Sequence, residues 1–245
     1  MLRLSNWNIL ETFHHGIAGM KKPLHLALYE ETLLLDLDDH KGTALTGLHR
    51  NAMAGAILAE LVIMTAISLR DDRHKTVRVK PNVRTKDPIL DEALQLISSA
   101  KKPKPASHWV MKIANMDNLH HRVAKGLVAK GVLAEETGKV LMIFNRTVYP
   151  EANRNPEREL INRLEKAIFT SAPRVDERTL VVIALANATG SLNRIFDRKR
   201  LKTRKARIEQ IIDGQLVGQA TQEAVAAIRA AILVATTVPV ISSAH

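Results

Sequence analysis

Histidine is the first chemistry to weigh, because the chain carries ten and sets two pairs side by side, His14-His15 and His120-His121. Adjacent side chains leave a helix or strand in different directions, so neither pair closes on one metal ion. Helical zinc sites space their histidines four apart, as in His-Glu-x-x-His, and that pattern does not occur. His25 with Glu30-Glu31 is a loose grouping. No metal site is expected. The carboxylates Glu30-Glu31 and Asp36, Asp38 and Asp39 could suggest acid/base work, but such pairs suit helix ends and solvated faces better. No Gly-x-Ser-x-Gly elbow, Walker loop or other Gly-rich phosphate loop is present. With no cysteine, disulfides, thiolate catalysis and thiolate metal sites are excluded. The residues point to a protein that is not an enzyme and needs no cofactor.

The charge balance is more informative. Lys plus Arg number 36 against 25 Asp plus Glu, a formal charge of +11. Such an excess attracts polyanions, either nucleic acid or the anionic headgroups of a cytoplasmic leaflet. The densest basic run is Arg194, Arg198, Lys199, Arg200, Lys202, Arg204, Lys205 and Arg207. On a helix Arg200, Arg204 and Arg207 share one face, which suits phosphates of DNA or lipid alike. A helix, Gly131 and a hairpin also resemble a winged helix-turn-helix, so nucleic-acid binding is the alternative function. The segment before that hairpin, VAKGLVAKG, is small and apolar and lacks polar base-reading residues.

The start of the chain lacks a basic region followed by a clean apolar stretch, so no secretory signal is expected, and Met20 before Lys21-Lys22 could serve as an alternative start. Without a secretory route the sequons at Asn145 and Asn187 carry no meaning. The longest apolar stretch, Ala224 to Ile241, is interrupted by Arg229 and Pro239 and falls short of the ~20 residues a spanning helix needs. It reads as a buried C-terminal helix. The chain is expected in the cytoplasm, lying on a membrane without crossing it.

Which elements would position these residues? Hydrophobic residues make up 46% but aromatics only 3%, which favours packed aliphatic helices over a sandwich of strands. Leu26, Tyr29, Leu33 and Leu37 recur at helical spacing, closed by a turn at Asp38–Gly42. A second helix covers about His49 to Thr65. Residues 66–69 and 76–79 flank a charged tip and read as a hairpin. Asp87 caps the next helix with Pro88 at its first position. After a basic, proline-broken loop Ser107 can cap a helix around Trp109. Another helix runs from Asn118 to a stop at Gly131. Val132-Leu133 and Val140–Phe144 then flank Glu135–Gly138 as a second hairpin. Helices at Glu157–Thr170, Arg178–Ala188, Asn193–Asp213 and Thr221–Thr236 complete the chain. The expected fold is mainly α, a single-domain helical bundle with two projecting β-hairpins. It spans residues 23–245 after a weakly structured extension over 1–22.

Several phrases, in this order, resemble the Golgi phosphoprotein 3 family and its bacterial members: LHLALYEETLLLDLDDHKG, AGAILAELVIMTAISL, DPILDEALQLI, VAKGLVAKGVL with its following hairpin, and RTLVVIALANATGSLNRIF. The resemblance implies a peripheral membrane protein that binds phosphatidylinositol 4-phosphate. It also implies work as an adaptor or scaffold for the tails of membrane enzymes, which in eukaryotes are Golgi glycosyltransferases. The family pocket uses one Trp and three Arg. The corresponding positions here fall at Leu45, Ala54, Asp117 and His120, so none is retained, and only a protonated His120 could be cationic. Arg grips a phosphomonoester through charge-assisted, often bidentate bonds that Leu, Ala and Asp cannot make. The neighbouring cations His49, Arg50, Lys112, His121 and Arg122 become the headgroup candidates together with His120.

In relatives the second hairpin contributes to oligomer contacts and membrane insertion. Here its Val140, Leu141, Met142, Ile143 and Phe144 form an unbroken apolar run. A run without alternation is what burial on both faces produces, so it reads as a buried strand. Exposed, it would be an edge for a membrane or for a second copy of the chain.

Overall fold

A computed structural model describes residues 24–38, 41–44, 48–70, 75–140 and 144–217, together with Val225 and Arg229. In chain order it forms α1 (Leu28–Leu34), α2 (His49–Ile63), β1 (Ile67–Leu69), β2 (Val77–Val79), α3 (Pro88–Ser98), α4 (Ala106–Ala114) and α5 (Leu119–Ala129). Then follow β3 (Glu136–Val140), β4 (Phe144–Val148), α6 (Asn155–Phe169), α7 (Glu177–Thr189), α8 (Leu192–Ile195), α9 (Arg198–Thr203) and α10 (Lys205–Ile212). The protein is mainly helical, and its strands form two antiparallel hairpins, β1–β2 and β3–β4.

The middle of the bundle is α1. All seven of its residues are buried, Glu30 and Glu31 among them. Seven residues cannot hold a helix alone in water, so packing must. Helices α2, α5, α6 and α7 enclose it. Buried carboxylates need partners, and each finds one on a different element. Lys130, at the end of α5, reaches Glu30 at 2.5 Å. Arg163 of α6 reaches Glu31 at 2.7 Å. Arg194 of α8 reaches Asp36, just past α1, at 2.9 Å. Glu60 of α2 takes both guanidinium nitrogens of Arg178 on α7, at 2.5 and 3.2 Å. It also accepts the Leu28 N–H at 2.6 Å.

These pairs set direction as well as contact. The C-terminal ends of α2 and α5 both meet the start of α1, through Glu60 and Lys130. Both helices therefore run antiparallel to α1, and their N-termini come together at its far end. Past α1 the chain turns at Gly42, where φ is +59° and a Cβ would lie 2.2 Å from the Tyr149 carbonyl carbon. Only glycine allows that approach, in which the Tyr149 N–H donates to the Gly42 carbonyl at 3.0 Å.

Several expected boundaries hold. The Asp87 carboxylate accepts the Ile89 and Leu90 N–H groups at 2.9 and 3.1 Å, with Pro88 first in α3, and it also accepts the Tyr29 hydroxyl. Helix α5 ends in a Schellman motif: Val132 N–H donates to Leu127, Gly131 N–H to Val128, and Gly131 has φ +70°.

Other boundaries move. Pro105, not Ser107, stands at the N-cap of α4. Its extended backbone is held by a bridge to Thr76, and Ala106 N–H donates to the Lys75 carbonyl, so no hydroxyl cap is needed. In the second hairpin, pairing runs from Glu136↔Val148 to Val140↔Phe144. Glu136, Thr137 and Gly138 are thus strand residues, not the tip. Val140–Phe144 is not one buried strand, because its two ends pair with each other; Leu141, Met142 and Ile143 lie outside the described residues. The single helix expected over Asn193–Asp213 is three. Phe196 is extended, buried and edge-on to Phe169 at 5.4 Å, and Asp197 then recaps the chain by accepting the Arg200 N–H at 2.9 Å.

Arg200, Arg204 and Arg207 do not share one helix, since α9 ends at Thr203 and α10 begins at Lys205, and each is engaged within the fold. Arg204 donates to the Phe169 carbonyl at 2.9 Å, and Arg207 to those of Ala167 and Ala172 at 2.7 Å each. Arg200 pairs with Glu165 and stacks over the Phe169 ring at 4.3 Å. Arg204 and Arg207 thereby satisfy carbonyls left open where α6 ends. Residues 1–22 and most of Thr221–Thr236 and of Ala224–Ile241 lie outside the described residues. Val225 and Arg229 are helical there, Val225 is buried, and Arg229 pairs with Asp213. Among the described residues no helix is long and apolar enough to cross a membrane.

Removing one partner of a buried ion pair strands the other charge, at a cost of about 3–5 kcal/mol. Arg178→Met should therefore destabilise the protein by about that amount in urea denaturation. Adding Glu60→Gln should recover most of the loss, since the stranded charge is then gone.

Candidate functional site

The N-termini that the core brings together carry the sequence candidates. His49 is the first residue of α2, and His120 is the second of α5. Their rings meet edge-on at 5.3 Å, and His121 meets His120 at 5.5 Å. Neither Leu48 nor Asn118 caps its helix with a side chain, and the positive ends of two helix dipoles add to the cluster. Tyr149, placed by Gly42, lies 6.2 Å from the His120 ring, and its hydroxyl is hydrogen-bonded to His121 Nδ1 at 3.0 Å.

His120 is the unusual member. Its Nδ1 is buried and has no hydrogen-bond partner. Burial, and then the positive surroundings of His49, His121, Arg146 and Arg50, push its pKa down to about 4. The sequence candidate for a protonated cation is therefore a neutral ring at neutral pH. The reason is physical: it sits in low dielectric beside like charges. The Tyr149 hydroxyl is shifted the other way, upward, by burial and then by Glu135.

The other candidates separate. Arg50 is exposed and donates from Nε to the Ala114 carbonyl at 3.1 Å, covering the end of α4 while keeping the remaining guanidinium donors. Lys112 is exposed on the last turn of that helix. Arg122 turns to α3 and pairs with Glu92, so it is committed within the fold. Of the family pocket positions, Ala54 is fully buried and Asp117 is exposed, while Leu45 lies outside the described residues. Among the described residues no group of three or more His, Asp or Glu is arranged to hold a metal ion.

The comparison with known proteins agrees with this architecture. The family model for Golgi phosphoprotein 3 (GPP34) matches residues 28–228, most of the chain. The chain belongs to the Golgi phosphoprotein 3 family. It is also similar to vacuolar protein sorting-associated protein 74 of Eremothecium gossypii, 29% identical over 161 residues. That match covers 57% of this chain and 48% of the relative, so the chain spans about half the length of this curated relative.

This member of the Golgi phosphoprotein 3 family thus has a cationic cluster where α2, α5 and β4 meet. Two of its residues escape a reading of the sequence. Arg146 makes no hydrogen bond or ion pair among the described residues and lies close enough to lower the His120 pKa. Tyr149 supplies the ring behind the histidines. Both arrive by tertiary folding, from β4 and the residue that follows it, more than twenty residues downstream of His121. The only local hint is Arg146 itself, a cation within an otherwise uncharged stretch.

Because the folded pKa of His120 lies below the ordinary 6.5, its neutral form contributes stability that is present above pH 6.5 and is lost as pH falls through about 4. Glu31, raised by burial, has the opposite sign: it contributes stability at low pH that is lost as pH rises through its folded pKa. His120→Gln removes only the first contribution. Melting temperatures between pH 7 and pH 4 should fall less in His120→Gln than in the unmodified protein.

Proposed function

We propose that the protein docks on membranes peripherally by binding anionic phospholipid headgroups at the cluster of His49, Arg50, His120, His121 and Arg146, and that it catalyses no reaction. One observation carries this reading: two helix N-termini without side-chain caps converge on a buried, unpartnered ring nitrogen with two arginines beside it. Helix N-termini and arginine forks are what a phosphate oxygen requires. Family membership points to phosphatidylinositol 4-phosphate as the headgroup and to tails of membrane enzymes as further partners, with the protein acting as adaptor or scaffold at a cytoplasmic face.

Hairpin β3–β4 fits the same orientation. Arg146 lies on β4, and the chain between the last pair, Val140 and Phe144, is Leu141-Met142-Ile143. An apolar segment carried on the strand that supplies a headgroup cation would enter the acyl region as the cation meets the phosphate, or would contact a second copy of the chain. The alternative of nucleic-acid binding loses part of its support, since Arg204 and Arg207 are spent on carbonyls of α6 and the turn after it and Arg200 pairs with Glu165.

Co-sedimentation with phosphatidylcholine vesicles, with and without phosphatidylinositol 4-phosphate or phosphatidylserine, tests the proposal. Retention is expected only with anionic lipid. Arg50→Glu with Arg146→Glu should reduce it about tenfold or more, while Arg122→Gln should leave it nearly unchanged. Equal retention on neutral vesicles would sink the reading. A bound anion beside His120 favours its protonated form, so retention on phosphatidylserine vesicles should rise as pH falls from about 6 toward about 4.

A further inference from the structure

The basic run splits by face, and the half that does not serve α6 has a different setting. Arg198, Lys202 and Lys205 line an open groove of about 290 Å³ between the end of α7 and helices α8, α9 and α10. Its floor is apolar: Leu192, Leu201 and Ile208 line it and are buried in the core. Asn187 and Asn193 line it as well. One acid, Glu209, is present, 3.8 Å from Lys205. Arg198 and Lys202 make no hydrogen bond or ion pair among the described residues.

We propose that this groove binds an acidic peptide segment with one aliphatic anchor residue. Three cations against one acid call for a negatively charged occupant. The apolar floor calls for a side chain that a phosphate group lacks. The two carboxamides offer acceptors as well as donors, which suits a peptide backbone, whereas a phosphate takes donors only. Because Arg200, Arg204 and Arg207 lock α9 and α10 onto α6, the backbone that carries the cations is fixed before a ligand arrives, and only side-chain ordering remains to oppose binding. None of the residues of the headgroup cluster takes part, so this site does not depend on that reading.

A displayed library of random nonapeptides, screened against the full chain, tests the proposal. Enriched sequences should place two or more Asp or Glu around a Leu, Ile or Val. By fluorescence anisotropy, a labelled enriched peptide should bind Arg198→Glu with Lys202→Glu about tenfold more weakly, and Arg50→Glu unchanged. Replacing the aliphatic residue of the peptide by Ser should weaken it similarly. Matching melting curves would show that the charge-reversed variant is folded; should it melt early, Lys202→Gln alone replaces it. Absence of acidic enrichment overturns the proposal, as does equal binding by the variants or loss of binding in Arg50→Glu. If the variants change only retention on phosphatidylserine vesicles, the groove is a membrane contact and the proposal fails.

Discussion

Four carboxylates buried in the middle of the bundle are the constraint from which the rest follows. Glu30, Glu31, Asp36 and Glu60 sit on or beside α1 among aliphatic side chains, where an unpaired charge is costly. Each must therefore find a cation, and the cations come from α5, α6, α7 and α8. Apolar contacts alone would let such helices slide or rotate with little penalty. Ion pairs that work in only one geometry fix register and direction. The pairs draw the C-terminal ends of α2 and α5 to the start of α1, and so leave the opposite ends together. The site at those ends is a consequence of charge pairing on the far side of the same helices.

The cluster inverts the rule of the core. Inside, each of the four buried carboxylates is matched. At the N-termini of α2 and α5, positive groups gather around His120 instead, and the ring remains neutral to avoid adding to them. A site held this way has unspent electrostatic attraction for an anion. It gives up the permanent charge of the arginines that the family pocket uses, and part of its charge becomes dependent on proton uptake. The same contrast separates the two halves of the C-terminal basic run. Arg204 and Arg207 satisfy carbonyls at the end of α6, while Arg198, Lys199 and Lys202 face water.

Much of the fold was legible because local chemistry decided it. Asp87 with Pro88 marks a helix start, and Gly131 marks a stop, whatever the surroundings. The second hairpin was misplaced because Glu135–Gly138 contains turn-like residues and Leu141–Ile143 contains none, so local preference pointed to the wrong tip. Cross-strand pairing decided it instead. Likewise no local pattern signals the break at Phe196, which is made by its burial against Phe169. Of the residues named from their sequence neighbourhood, His49, Arg50, His120 and His121 come together in the fold. Arg146 and Tyr149 were not, because only the packing of β4 and the close approach at Gly42 bring them there. The direction in which the three arginines point was equally invisible, since periodicity gives a face but not what it faces.

The claim that matters most is that His120 takes part in holding an anion. The direct measurement is the nitrogen-15 spectrum of its ring while soluble inositol 4-phosphate is added at fixed pH near 6. The account predicts that Nδ1 moves from the neutral to the protonated range as the headgroup binds, and that Arg50→Glu abolishes the change. A ring that stays neutral while vesicle binding persists would contradict it.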